Sequence, residues 1–286
     1  MSTIIVIPCY KVKKKISKVI NKSLKFAKKI IIIDDKCPQQ TGNFVKKNYK
    51  SKKILVLFNK KNIGVGGAVK RGYEEALKLK AKYIIKIDGD DQMNPKYIPL
   101  LLKNIKNLNA DYCKGNRFFS LDIINKMPFI RLVGNFFLSI ISMFSTGYWN
   151  IFDFTNGYTA ISAKALKKLK LSKISNNFFF ETDMIFYLYL NNLKVKDVKI
   201  PAIYNNSESN LIISKIFIYF IKGNIINFLN RIYAVYFKKF FFIKFLFIFF
   251  LLLFSYYLKI FLYFLILFLF IFFIIDLFNI PYRKND

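Results

Sequence analysis

Up to about Tyr204, the chain alternates short apolar, β-branched runs with longer stretches in which lysines and apolar residues recur at helical spacing. The predicted strands are Thr3 to Ile7, Ile30 to Ile33, Ile54 to Phe58 and Tyr83 to Ile87, and the predicted helices include Val12 to Lys28 and Ala68 to Lys80. Alternation of this kind predicts an α/β fold, with a largely parallel sheet sandwiched between layers of helices.

Beyond Tyr204 the pattern changes, and Phe240 to Ile275 is apolar and aromatic almost throughout. A single helix of that length would extend about 54 Å, against a hydrocarbon core of roughly 30 Å. We therefore predict two transmembrane helices, near Phe240–Leu258 and Ile260–Phe278, joined as a hairpin with its tip near Lys259. The turn contains no Gly or Pro, so one strongly tilted helix or a re-entrant segment stays an alternative.

Polar residues around this hairpin indicate its orientation. Basic residues flank both outer ends, which places both ends in the cytoplasm by the positive-inside rule: Lys238, Lys239, Arg283 and Lys284. The preceding segment, Asn224 to Lys238, carries a polar stripe formed by Asn224, Asn227, Arg231 and Lys238. The stripe predicts a helix in the membrane interface, with Arg and Lys directed at lipid headgroups; an ordinary core-facing amphipathic helix is the alternative.

Composition narrows the chemistry. The chain has no histidine, which excludes Ser-His-Asp catalysis and any His-ligated metal. Cys9, Cys37 and Cys113 form no CxxC pair, so neither a zinc site nor a disulfide framework is predicted, and a reducing cytosolic setting fits. No cleaved signal peptide is expected, because the chain begins directly with a strand-like run.

Net charge is a weaker guide. The value of +31 favours a polyanionic partner, but lysine is abundant throughout a generally biased composition and therefore carries little weight. Nucleic-acid binding is not predicted, because no compact module interleaves aromatic and basic residues and the hairpin would tie the chain to a membrane.

The strand Tyr83 to Ile87 ends in Asp88-Gly89-Asp90-Asp91-Gln92. Three carboxylates within four positions repel one another, and a divalent cation such as Mg²⁺ or Mn²⁺ relieves that repulsion. Open α/β sheets hold their ligands at this end of their strands. The alternative is a simple turn, which Asp and Gly also favour.

Two further features point to a nucleotide. Asp34-Asp35 closes the run Ile30 to Ile33, and acids at the ends of two strands can converge on ribose hydroxyls or base N–H groups; helix or turn capping is the alternative for Asp34. Asn62-Ile63-Gly64-Val65-Gly66-Gly67 opens the helix from Ala68, where glycines let backbone N–H groups approach a phosphate. As a dinucleotide fingerprint this loop is poor, since Val69 occupies the third glycine position.

A polar ridge runs along one more predicted helix. Arg131, Asn135, Ser139 and Ser142 recur every three or four positions among apolar residues. On a helix they form one polar line on an apolar cylinder, which could lie against a bilayer and present Arg131 to a lipid phosphate. The alternative is a partly buried helix whose polar groups are satisfied internally.

Taken in order, these elements resemble the family-2 glycosyltransferases, in particular the membrane-anchored branch that makes polyprenyl- or dolichyl-phosphate sugars. The resemblance covers roughly residues 3 to 204 and rests on Val6-Ile7-Pro8-Cys9-Tyr10, Ile33-Asp34-Asp35, Asn62-x-Gly64 through Ala68 to Gly72, Asp88-x-Asp90-x-Gln92, Gly115-Asn116-Arg117-Phe118, Asp153 to Gly157, and Phe180-Glu181-Thr182-Asp183. It implies a GT-A (Rossmann-like) fold, a nucleoside-diphosphate (NDP) sugar donor, a divalent metal and inversion at the anomeric carbon.

The resemblance also implies roles for individual residues. Those expected at the nucleotide are Pro8, Tyr10, Asp34, Asp35, Asn62, Gly64 and Asp88. Those expected at the metal are Asp88, Asp90 and Gln92, and those expected at the acceptor phosphate are Arg117, Arg131 and Asn135. Asp90, Asp153, Arg117 and Arg131 form the expected catalytic set, with Asp153 beside the reacting centre as at most a helper or sugar ligand.

The expected organisation is a catalytic domain over residues 1–205, a flap and juxtamembrane helices over 206–239, transmembrane helices over 240–278 and a cytoplasmic tail over 279–286. The enzyme would be a multi-pass protein of the plasma or inner membrane with a cytoplasmic catalytic domain, and a homo-oligomer is allowed. Family members commonly carry an arginine in the flap; here Tyr204 to Asn210 has none, and Lys215 is a candidate substitute.

Two other functions stay open. Donor-side motifs are shared across the family, so a family-2 transferase with a different glycan or lipid acceptor is the first alternative. The second is a non-catalytic adaptor that binds anionic lipid through its lysines.

Overall fold

The computed structural model describes residues 2–107, 110–119, 124–125, 127–201, 213–237, 241–254 and 258–279. The predicted flap, Tyr204 to Asn210, the predicted flanking cations Lys238, Lys239, Arg283 and Lys284, and the side chain of Lys215 lie outside this description.

Seven strands form one sheet in the described part of the chain. They are β1 (Thr3–Cys9), β2 (Lys29–Asp34), β3 (Ile54–Phe58), β4 (Tyr83–Lys86), β5 (Tyr112–Asn116), β6 (Thr159–Ser162) and β7 (Val195–Lys199). Their spatial order is β3-β2-β1-β4-β6-β5-β7. β6 runs antiparallel to both of its neighbours, and every other pairing is parallel. The prediction of a largely parallel sheet therefore holds, with β6 as the exception.

The helices are α1 (Lys13–Ser23), α2 (Thr41–Asn48), α3 (Val65–Lys78), α4 (Ile98–Asn107), α5 (Phe129–Thr146), α6 (Ala163–Lys168), α7 (Phe180–Leu190), α8 (Ile213–Arg231), α9 (Phe241–Phe254) and α10 (Leu258–Asn279). A π-helical segment, Ile232–Phe237, continues α8. The helices predicted from Val12 and Ala68 are α1 and α3, each with ends shifted by a few residues.

The core lies on both faces of the sheet. Along β1, Ile4 and Val6 face one cluster with α3 and α7, whereas Ile5 and Ile7 face a second cluster with α1 and α4. Side chains alternate between the faces of a strand, so a strand covered on both sides must be apolar at every position. This explains why the predicted strands read as continuous apolar runs.

The reversed direction of β6 matters for the site. β1, β2, β4 and β5 all end at one edge of the sheet, and because β6 is antiparallel it begins at that same edge. Residues that precede β6, including Asp153 and Gly157, therefore lie near residues that follow β4 and β5. Open sheets bind ligands at this edge.

The polar stripe of α8 faces the protein, so the prediction that Arg231 is directed at lipid headgroups is wrong. Asn224, Asn227 and Arg231 are buried, with 1%, 4% and 1% of their surfaces exposed. Asn224 accepts a hydrogen bond from Ser145, and Asn227 donates one to Asp183. The side turned outward is the apolar one, with Ile218, Tyr219, Ile225 and Leu229 all more than half exposed.

Helix α5 shows the same arrangement. Ser139 and Ser142 are completely buried, and Ser139 donates to the carbonyl of Asn135 at 2.7 Å. The ridge is thus directed inward along most of its length, as the alternative interpretation held, while Phe129, Ile130 and Phe137 are exposed. Helices α5 and α8 pack on each other, so their exposed apolar sides lie on neighbouring helices.

The apolar C-terminal region forms two helices that pack antiparallel. Ring contacts join Phe250 to Phe264 and Phe247 to Phe268, with centroids 4.8 and 6.2 Å apart. Lys259 lies in the first turn of α10, close to the predicted tip of the hairpin. By length and composition, α5 is the one helix in the described chain that could cross a membrane, and Leu262–Leu277 is a shorter apolar stretch. Membrane crossing by α9 and α10 stays a prediction.

Candidate active site

The acidic loop after β4 contributes two carboxylates to the site, not three. Asp91 adopts a left-handed backbone conformation (φ 62°) and pairs with Lys22 of α1 at 2.8 Å. Asp88 and Asp90 remain together, and burial followed by the charge of Asp88 raises the pKa of Asp90 above its ordinary value. Asp91 is not among the predicted metal ligands, which are Asp88, Asp90 and Gln92, and Lys22 compensates its charge.

The remaining residues fit a divalent metal. Asp88, Asp90 and Gln92 offer two carboxylates and an amide, and the Gln92 N–H donates to Asp90 at 3.1 Å. Within the described residues, no group of three or more His, Cys, Asp or Glu side chains is arranged to hold a metal ion. Mg²⁺ and related ions commonly take one or two carboxylates and complete their coordination with phosphate oxygens and water. A cation held there would offset the charge of Asp88, which together with burial raises the pKa of Asp90.

Lys86 and Glu181 belong to the site, although neither was among the predicted site residues. The Lys86 ammonium is buried and lies 2.8 Å from both Asp88 Oδ1 and Glu181 Oε1. Burial opposes its charge, but the two carboxylates outweigh burial and raise the pKa of Lys86. Gly157 completes this cluster, since a Cβ there would collide with Lys86 Nζ. The sequence signal was the lysine that interrupts an otherwise apolar strand.

The paired acids after β2 bind backbone groups of the protein. Asp34 accepts from the N–H groups of Cys37 at 2.7 Å and Gly42 at 2.6 Å, which is the capping role left open as an alternative. Asp35 accepts from Asn59 at 2.7 Å and from the N–H groups of Ile63 and Gly64 at 2.9 Å each. Both acids thus shape loops at the site edge, and their contact with a nucleotide stays a prediction.

Two N–H groups of the glycine loop, those of Gly64 and Gly67, bind acceptors within the protein. The Gly64 N–H donates to Asp35, and the Gly67 N–H donates to the carbonyl of Asn176 at 3.0 Å. A Cβ at Gly64 would collide with the Asn176 carbonyl, and Gly64 has φ 85°. These glycines let α3 pack closely against the segment before α7, and the approach of this loop to a phosphate stays a prediction. Asn62 is exposed beside them, and its nucleotide role stays a prediction.

At the end of β1, Pro8 is buried, and Tyr10 is 46% exposed. The edge of the sheet therefore presents an aromatic ring close to the loop shaped by Asp34. This arrangement is compatible with the predicted nucleotide contacts of both residues.

Arg117 and Asp153 form the centre of a second cluster. Asp153 is fully buried, has φ 59°, and accepts from Arg117 through Nε at 2.7 Å, NH2 at 2.5 Å and the backbone N–H at 2.9 Å. Burial would raise the pKa of Asp153, but the guanidinium and its hydrogen bonds dominate and hold that pKa below its ordinary value. A carboxylate so stabilised is a weak base, which agrees with a helper role.

The other predicted acceptor residues connect to this pair. Arg117 NH2 donates to Thr155 Oγ1 at 3.0 Å, and Thr155 donates to Asn135 Oδ1 at 3.1 Å. Arg131 lies one helical turn before Asn135, on the same side of α5. The structure thus brings Arg117, Asn135 and Asp153 together, with Arg131 next along the helix, and adds Thr155, which the sequence analysis did not single out.

An apolar cavity of about 620 Å³ adjoins this cluster. Its lining residues are Asn116, Phe118, Phe119, Ile124, Leu132, Val133, Phe136, Phe137 and Phe152. The Phe152 ring contacts Phe118 and Phe136, with centroids 5.0 and 5.6 Å apart. Three lining rings are chain neighbours of the polar residues: Phe118 follows Arg117, Phe136 follows Asn135, and Phe152 precedes Asp153.

The mixed seven-stranded sheet and the acidic loop at its edge define a glycosyltransferase with a GT-A-like fold. The chain belongs to glycosyl transferase family 2, whose family model matches residues 4–170. This confirms the resemblance found in the sequence.

Named relatives agree with this assignment. The chain is 28% identical to the UDP-N-acetylglucosamine–dolichyl-phosphate N-acetylglucosaminyltransferase of Methanococcus voltae, over 70% of this chain and 85% of that one. It is 25% identical to the polyprenol monophosphomannose synthase of Mycolicibacterium smegmatis, over 63% and 67% of the two chains. Glucosyl-3-phosphoglycerate synthase of Mycobacterium tuberculosis, solved with Mn²⁺, UDP-glucose and phosphoglyceric acid, shares the fold with a TM-score of 0.60 at 13% identity, over 80% and 79% of the chains.

Proposed function

We propose that this protein transfers a sugar from an NDP-sugar to a polyprenyl phosphate, with inversion, at the cytoplasmic face of a membrane. One observation carries the proposal: the Arg117–Thr155–Asn135 cluster lies next to an apolar cavity, whose wall includes the chain neighbours Phe118 and Phe136. A ligand that suits both parts has an anionic head and an apolar tail. Relatives named for dolichyl phosphate and polyprenol support this acceptor class.

The donor would bind on the other side of the site, at Asp88, Asp90 and the nucleotide-facing end of β1. A divalent cation held by Asp88, Asp90 and Gln92 would supply positive charge to the departing nucleoside diphosphate. Lys86 keeps Asp88 in place and compensates its charge, at 2.8 Å. The fold relative that was solved with Mn²⁺ and UDP-glucose supports this arrangement.

The acceptor itself reduces the need for a base. A phosphate monoester has a second pKa near 6, so at neutral pH it is mostly dianionic and already nucleophilic. Catalysis then consists mainly of orienting the two substrates and compensating their charge. Arg131 and the Arg117 cluster orient the attacking phosphate, while the low pKa of Asp153 keeps that carboxylate charged and bound to Arg117.

The exposed apolar sides of α5 and α8 support a location at a bilayer. Phe129 and Ile130 on α5 are 76% and 68% exposed, and Ile218 and Leu229 on α8 are 67% and 58% exposed. Contiguous apolar surface of this kind marks interaction sites for membranes or partners. We infer that these sides enter the bilayer beside α9 and α10, which would bring the acceptor phosphate to the depth of Arg131.

The test is transfer of labelled sugar by membranes containing the full chain. UDP-glucose, UDP-N-acetylglucosamine and GDP-mannose would each be supplied with Mn²⁺ and either undecaprenyl phosphate or dolichyl phosphate. We expect label in an organic-extractable product that depends on the prenyl phosphate. Transfer to an oligosaccharide, with none to either lipid, would instead establish the alternative family-2 acceptor. Salt-sensitive binding to anionic liposomes without any nucleotide binding would favour the adaptor.

A further inference from the structure

Strands β5 and β7 carry a buried ion pair close to the Arg117–Thr155–Asn135 cluster. Lys114 and Asp197 are register partners in the parallel pairing of these strands, and Lys114 Nζ lies 2.8 Å from Asp197 Oδ1. Their side chains are 1% and 6% exposed. Isolated buried pairs contribute little net stability, because desolvation of both charges offsets their attraction. A role other than stabilisation can be inferred from the groups that the two side chains bind.

The pair binds both backbone groups of one residue, Phe152. The Phe152 N–H donates to Asp197 Oδ2 at 2.7 Å, and Lys114 Nζ donates to the Phe152 carbonyl oxygen. Asn116 donates to the same Asp197 oxygen at 2.6 Å. The sheet thus holds the peptide groups on both sides of Phe152 through oppositely charged side chains.

Phe152 is followed in the chain by Asp153. Its left-handed conformation (φ 59°) is unfavourable for a non-glycine residue and persists only where surrounding structure enforces it. That conformation brings its carboxylate to Arg117, while the Phe152 ring stays in the cavity wall. One short segment therefore connects the ion pair to both the polar and the apolar part of the acceptor site.

We propose that Lys114 and Asp197 are positioning residues for the acceptor site: by binding the backbone of Phe152 they set the geometry of Asp153 and Arg117 for the acceptor phosphate. This inference rests on the proposed function for its substrate, but its structural part can be tested without turnover. In the described structure, neither residue has a hydrogen bond or ion pair to the acidic loop after β4, where the donor would bind, so the pair acts on acceptor use alone.

The test uses the double variant Lys114→Met/Asp197→Asn, which removes both charges and leaves no uncompensated buried ion. We expect the acceptor KM for undecaprenyl or dolichyl phosphate to rise about ten- to a hundredfold, while the donor KM stays within about twofold. Lys199→Met is the matched control, since Lys199 is exposed on the same strand and should leave both constants unchanged.

A second measurement uses Trp149, the single tryptophan of the chain, three residues before Phe152. Looser binding of this segment should increase acrylamide quenching of Trp149 in the double variant and leave it unchanged in Lys199→Met. Unchanged acceptor KM together with unchanged quenching would overturn the inference, as would equal losses in donor and acceptor KM. If wild-type protein transfers no sugar to prenyl phosphate, the proposed function fails, and quenching alone decides whether the pair holds the segment.

Discussion

Arg231 and Asp276 form a buried ion pair, with 2.5 Å between NH1 and Oδ2, that joins α8 to the last helix of the chain. Asp276 also accepts from Tyr189 at 2.9 Å and from Trp149 at 3.3 Å. Tyr189 belongs to α7 in the sheet domain, and Trp149 lies shortly before Asp153. The Asp276 carboxylate thereby connects the apolar C-terminal helix to the catalytic domain.

Removing one partner of this pair should destabilise the protein strongly. Asp276→Asn removes a negative charge that contacts the buried Arg231 guanidinium, and we expect a loss of about 3–5 kcal/mol in the free energy of unfolding. Arg231→Met/Asp276→Asn should lose less than the sum of the two single variants, because neither charge is then left alone. Denaturant unfolding of detergent-solubilised protein gives all four values. Strict additivity would show that the two side chains are not coupled.

Substitution of Asp90 should affect turnover strongly, whereas substitution of Asp91, in the same loop after β4, should not. Asp90→Asn should reduce sugar transfer about a hundredfold or more, because a charge that stabilises the leaving group is lost. Asp91→Asn is the matched control and should retain activity, since Asp91 pairs with Lys22. Stabilisation by NDP-sugar with Mn²⁺ should be lost in Asp90→Asn alone, as measured by thermal unfolding. Wild-type rates from Asp90→Asn in metal-replete buffer would contradict the assignment.

Gly157 should not tolerate a side chain, because any Cβ there meets the Lys86 ammonium. Gly157→Ala should displace Lys86 from Asp88 and Glu181, and we expect a rate loss of about tenfold to a hundredfold. Gly134→Ala, on α5, has nothing within 4 Å of the new Cβ and should be neutral or slightly stabilising. Steady-state rates and melting temperatures of both variants give the comparison. Equal activity in the two would remove Lys86 from the site.

Asp153 should affect stability at neutral pH without acting as the catalytic base. Its folded-state pKa is lowered, so its contribution to stability is present above about pH 4 and is lost as pH falls through the folded pKa. Asp153→Asn should therefore be less stable than wild type at pH 7, with a difference that shrinks towards pH 3. Urea unfolding at both pH values measures this.

The pH dependence of the transfer rate should follow the ionisation of the acceptor phosphate, not that of Asp153. In wild type and in Asp153→Asn, activity should rise through about pH 6, where the phosphate monoester becomes dianionic. A retained rate with this profile in Asp153→Asn supports positioning over base catalysis. Loss of the rise in the variant, with wild type showing it, would make Asp153 the base.

Local patterns predicted the elements of the fold well. Apolar runs located β1 to β4, because strands buried on both faces must be apolar at every position. The end of the apolar run at Ile87 also placed the acidic loop correctly, directly after a strand. Spacing could not distinguish Asp91 from Asp88 and Asp90, since the difference is a backbone turn that directs Asp91 to Lys22, a residue 69 positions away.

The stripe on α8 shows a second limit. Helical periodicity established that Asn224, Asn227 and Arg231 share one side, but both sides of such a helix can be buried. The polar side is buried because its partners lie in other parts of the fold. Asp183 binds Asn227 from 44 positions away, and Asp276 binds Arg231 from 45 positions away. Burial of polar groups is favourable only where such partners exist.

The amino-acid sequence by itself determined the strand and helix pattern, the family, and the residues that can carry charge at the edge of the sheet, because these follow from local spacing and residue type. Only the tertiary structure decided which charges meet. Asp153 binds Arg117, Glu181 binds Lys86, and Asp197 binds Lys114, at separations of 36, 95 and 83 positions. Ion pairs form through space at distances that the antiparallel return of β6 and the packing of α7 create, and no local pattern encodes those distances.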